Sequence, residues 1–259
     1  MQRLLILSAL LFLTVFISCK KDSDPVPEQG NASLAIEFDN VVGEEDLELV
    51  GASYTNAAGE NYSVSNLAYF VSNFRFTKTD GSTYTVSQDS SYFLINEGTG
   101  STEPVLSVPV GDYANVTFLV GVDSLRSTTD LSKRTGALAP LPGTYWNENQ
   151  GYIFFTLEGN SPQAENSRFR FQVGGYGGKT APTFNNIKTV SLDLTAAGVA
   201  KAHAGDTSVV HLLVDIAKVF TGKHEISLAE NSQIGFEPAG TMLAENYQQM
   251  FRHDHTHNH

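Results

Sequence analysis

Cysteine is almost missing from this sequence. Cys19 stands alone in 259 residues, so no internal disulfide can staple the fold and no thiolate cluster can hold a metal. Basic side chains are also scarce, with 16 Lys and Arg against 28 Asp and Glu. That balance argues against nucleic acid as a partner, because phosphate backbones need clustered cations. There is no G-x-S-x-G elbow, no H-E-x-x-H, no G-x-x-x-x-G-K and no G-x-G-x-x-G following a strand. Without a nucleophile constellation the chain is not expected to be an enzyme.

What is present begins at the N-terminus. Residues 1–18, MQRLLILSALLFLTVFIS, carry one Arg, then an apolar stretch, then small and polar residues. That is the layout of a secretory signal, and the run is too short for a membrane span. Cys19 follows directly, in the position of the lipidated cysteine in the lipobox of bacterial lipoproteins, with Phe16 three residues before it. Cleavage there removes Arg3 and leaves 15 basic against 28 acidic residues, a net charge of −13. Residues 19–32 read as a lipid-anchored flexible tether, and 33–259 as one domain. The expected location is the outer membrane, periplasmic or surface-facing, with the lipid as sole membrane attachment.

The body alternates in short runs broken by Gly, Asn, Asp and Pro. "SLAIEF" (33–38) sets Leu34, Ile36 and Phe38 on one face, and "SRFRFQV" (167–173) sets Phe169, Phe171 and Val173 against Arg168, Arg170 and Gln172. "TDGS" (79–82) is a tight-turn signal, so 70–87 reads as a hairpin. Many such strands and few helical periods predict an all-β fold, an antiparallel β-sandwich. "EPAGTMLAENYQQMF" is the exception. Leu243, Tyr247, Met250 and Phe251 recur at helical spacing after Pro238, predicting a short C-terminal amphipathic helix. Met242 and Met250 are expected to pack on the core.

The chain ends in "RHDHTHNH", with His253, His255, His257 and His259 at every second position. In an extended strand those imidazoles project to one side and could share an ion. His211, in "TSVVHLLVDI", is a further metal-ligand candidate in phase with Val209 and Leu213. Imidazole suits Cu, Zn or Ni. The one tryptophan, Trp146, poses a different question. It sits at a polar turn in "PGTYWNENQGYIFF" rather than inside the apolar strand beyond.

Five stretches carry a resemblance: "SNLAYFVSNFRF" (65–76), "FLVGVDSLR" (118–126), "PGTYWNENQGYIFFTLEG" (142–159), "FRFQVGGYGG" (169–178) and "ENYQQMFRHDHTHN" (245–258). In this order they resemble the MbnP-like family of secreted copper-binding proteins. The resemblance implies copper as cofactor and a di-haem partner of the cytochrome c peroxidase/MauG type. It also implies oxidation of Trp146 to kynurenine, which would join histidines around the metal. An indole at a turn is open to such an oxidant. At three positions where the family pattern carries His or Trp, this chain has Asn40, Glu148 and Gln172, candidates for the second shell of the site. The alternative function is a non-metal ligand-binding or adhesion module, with Tyr145 and Trp146 as the contact platform.

Overall fold

The computed structural model describes residues 30–139 and 141–259. The signal sequence, Cys19 and all but the end of the tether lie outside the described residues.

Two sheets face each other. The larger is built on the long strand Asn61–Lys78, flanked by Gly111–Val120 and Gly151–Asn160 in antiparallel register. Its inward row is Leu67, Tyr69 and Val71, then Phe74 and Phe76, all fully buried. The phase jumps between 71 and 74 because Asn73 takes a left-handed backbone (φ 55°) at a register shift, a bulge that returns both phenylalanines to the core. The hairpin forms as the turn signal predicts, with Thr77 opposite Thr83. Strand Arg168–Gly174 closes on Gly151–Asn160 with Phe169, Phe171 and Val173 buried and Arg168 and Arg170 exposed.

The smaller sheet orders Phe251–His257, Thr207–Asp215 and Asn31–Val42, with Glu45–Asp46 and Val105–Pro109 pairing on the last. Most pairings are antiparallel, but Asn31–Val42 and Thr207–Asp215 run parallel, Glu37 beside His211, as do Arg168–Gly174 and the short strand Gln233–Ile234 in the larger sheet. The two sheets meet through aromatic edges. Phe38 lies 5.6 Å from Phe118 and 6.2 Å from Phe251, both edge-on.

The outer face of the large sheet is also covered. Phe70, Tyr152 and Phe154 are buried there against Val122 and Leu138 of the segment 122–145. Strands covered on both faces read as continuous apolar runs, which is how "YIFFTL" is written.

The predicted helix is Pro238–Tyr247, with Pro at its start. Leu243, Ala244 and Tyr247 are buried, and the Tyr247 ring stacks on Phe155 at 5.4 Å. Met250 packs on the core but Met242 does not; it is 39% exposed, because the turn of about 100° per residue carries it off the stripe of Leu243, Ala244 and Tyr247. Asn246 locks the helix down, donating through Nδ2 to the carbonyls of Val219 and His224 and accepting from the His224 amide. Among the described residues no helix is long and apolar enough to cross a membrane.

Candidate metal centre

The docked helix hands the chain directly to the tail strand Phe251–His257. Asp215 N donates to Met250 O at 2.9 Å, which starts the ladder, and Phe251 enters the core beside Tyr69 and Phe118. At the far end Asn258 donates to Val199 O and accepts from Lys201 N. The tail is therefore anchored at both ends.

Alternation alone would put His253, His255 and His257 on one side. The structure divides them. Val214 faces Phe251 and Leu212 faces His253, but the register slips so that His211 faces His255 and Val209 faces His257. Asp254 is the extra residue of this bulge. His253 thus shares the inner row with Phe251, and its Nε2 meets Thr256 Oγ1 at 2.9 Å. Burial holds the His253 imidazole below its ordinary pKa. His255 and His257 join His211 on the outer face.

There the groups converge. The His211 and His255 rings stack with centroids 4.6 Å apart. Asp254 Oδ2 lies 2.7 Å from His255 Nδ1 and 3.4 Å from His211 Nδ1. His255 Nε2 faces His257 Nε2 at 2.8 Å. Ligand atoms of His211, Asp254 and His255 all fall within 4.8 Å of one another. Two ligand atoms bound to one ion at about 2.0 Å would be separated by about 2.8–3.3 Å. The contacts of Asp254 Oδ2 to His255 Nδ1 and His211 Nδ1 lie close to that range, whereas His257 meets the other ring nitrogen of His255.

The surroundings are acidic. Asp39 Oδ2 stands 3.4 Å from His211 Nε2. Burial pushes the Asp39 carboxyl above its usual range; His211 opposes the rise, and Asp46, Glu37 and Asp254 add to it. The hydrogen bond to His255 and desolvation act oppositely on Asp254, with the bond prevailing, so its carboxyl stays below the usual range. His211 Nδ1 is buried and has no hydrogen-bond partner. A buried nitrogen lacking a partner beside a carboxylate and a second imidazole is a donor set fit for a borderline cation. Sequence reasoning named His211, His255 and His257 but missed Asp254 and Asp39. The signal for Asp254 was the "HDH" run itself, since a carboxylate between two imidazoles is a common way to orient them.

The other candidates lie elsewhere. Trp146, in the short strand Tyr145–Asn147, is half-buried, edge-on to Phe236 at 5.4 Å, with its ring over Gly174. Asn40 is buried, donating to Glu97 and accepting from the Tyr69 hydroxyl. Glu148 pairs with Lys179 at 3.2 Å. Gln172 lies on the outer face of the large sheet, in a cavity shared with Thr156 and Arg170. The resemblance implied an oxidised Trp146 beside the metal, with Asn40, Glu148 and Gln172 as second-shell candidates; the fold gives each of the four a different set of neighbours.

The sequence profile of the MbnP family matches residues 31–242. The solved structure of MbnP from Methylosinus trichosporium is similar in fold, with a TM-score of 0.56 at 16% identity over 77% of this chain and 80% of that one. No curated protein matches. The profile match takes in His211 and stops before the tail strand.

Proposed function

The chain belongs to the MbnP family, and on that footing we propose that it is an extracytoplasmic lipoprotein binding copper between the tail strand and its neighbour. His211, Asp254 and His255 supply the ligands, with His257 within reach of His255. The bulge at Asp254 carries the reading, because it turns two tail imidazoles and a carboxylate onto the face that His211 already occupies. A set of two nitrogens and one carboxylate oxygen is borderline rather than soft, so it favours the divalent ion. A bound cation would also offset the mutual repulsion of Asp39, Asp254 and Glu37.

Lipid attachment at Cys19 and a di-haem peroxidase-type partner belong to the same proposal. Trp146 is not needed as a ligand; its neighbours are Phe236 and Gly174.

The test is elemental analysis of protein purified from native cells, beside copper titration of the wild type and His255→Ala. One copper per chain, lost in the variant, is expected. Absence of copper from native protein together with no saturable binding in vitro would remove the proposal.

A further inference from the structure

We propose that the cavity under the segment 122–145 is a binding site for a small oxyanion, a carboxylate or phosphate group. The cavity is about 270 Å³ and is lined by Arg126, Lys133 and Arg134, with Asp89 as the acidic side chain on its wall. Its walls thus carry three positive charges against one negative, in a chain whose net charge is −12. An acidic protein that gathers cations around one concavity creates a local potential opposite to its overall field.

Arg134 is the fixed element. It is only 7% exposed. Its Nε donates to Thr129 O at 2.9 Å, and its Nη2 donates to Thr129 O and Ser127 O at 2.7 and 2.8 Å. The guanidinium plane lies over the rings of Tyr145 and Tyr152, at 4.7 and 5.2 Å. Three N–H groups and one face are therefore committed to the protein, and the group has no freedom to swing to water. Yet Nη1 is buried with no partner. A charged donor left unpaired in the interior is costly, and a group so firmly oriented loses little entropy on meeting a ligand.

Arg126 repeats the pattern at the mouth. Its Nη2 pairs with Asp89 while its Nε is buried and unpartnered. The Asp89 side chain is 84% exposed, so it can yield its place to an incoming anion without disturbing the wall. Two guanidinium groups and the Lys133 ammonium on one wall supply the concentrated positive charge that a carboxylate or phosphate would meet. The volume limits the ligand to a small molecule, below the range of drug-sized pockets.

The experiment is calorimetric titration of the full chain in metal-free buffer, with inorganic phosphate in one arm and acetate in the other. Saturable one-to-one binding of at least one anion is expected, and which arm binds assigns the class. The double variant Arg126→Gln/Lys133→Gln alters two partly exposed side chains and should keep the wild-type circular dichroism spectrum. It should weaken binding at least tenfold. Arg134→Lys keeps the charge but loses the fork, and should weaken it as well. No saturable binding of either anion in the millimolar range, or equal binding by wild type and a folded double variant, would overturn the proposal.

Discussion

His211 and His255 lie ring on ring across the antiparallel ladder, 4.6 Å between centroids and 28° apart in plane. One belongs to a central strand and the other to the edge strand, so the stack ties the edge to the sheet at the point where the candidate metal centre is built. Removing either imidazole should abolish stoichiometric copper binding in a chelator-competition assay. Asp254→Asn, which keeps the shape but removes the charged oxygen ligand, should weaken binding clearly in the same assay. His253→Ala should leave it nearly unchanged, since that ring faces the other side.

The anchor of the tail predicts an indirect effect. Phe251 touches Phe38, Tyr69 and Phe118 edge-on. Phe251→Ala should cost about 3–5 kcal/mol of stability in urea unfolding. It should also lower copper affinity, because the bulge is held in register by the residues before it.

Trp146→Phe should change copper affinity by no more than about twofold, the additivity expected of sites without shared partners. A loss of tenfold or more in the same competition assay would place the indole in the metal centre after all.

Glu60 offers a pH-dependent prediction far from the metal. Buried at 6% exposure, its carboxylate accepts from Asn56 Nδ2, Ser227 Oγ and the amides of Leu228 and Ala229. Desolvation pushes its pKa up, but these bonds together prevail and hold it below the ordinary range. A carboxyl depressed in the folded state stabilises fully above its unfolded pKa, about 4.3. That contribution fades as pH falls through the folded value. Glu60→Gln should therefore cost about 1–3 kcal/mol near neutral pH. The gap between the urea midpoints of variant and wild type should narrow as pH drops below 4.

Much of the fold was legible because strand period and turn chemistry are local. The hairpin around "TDGS", the split faces of "SRFRFQV" and the helix after Pro238 need only neighbours within a few residues. The fate of the histidines was not local. Whether 253, 255 and 257 share a face depends on a bulge, and the bulge depends on what lies opposite in Thr207–Asp215. The parallel pairing of Asn31–Val42 was hidden for the same reason, since no sequence period records a partner so distant. Met242 misled because helical spacing fixes a stripe but not its width. Asp39 was passed over because "FDN" invited attention to Asn40, which the structure ties to Tyr69 instead.

The parallel pair has a kinetic consequence. Gly43 and Asp215, joined by a hydrogen bond at the end of that pair, are 172 residues apart in the chain, whereas the long strand of the large sheet finds its partners Thr83–Thr85 and Tyr92–Asn96 close at hand. Distant pairings carry the larger loop-closure entropy and zip up slowly. The small sheet should thus assemble onto a large sheet already in place, and the histidine seat, at its outermost strand, would be completed last.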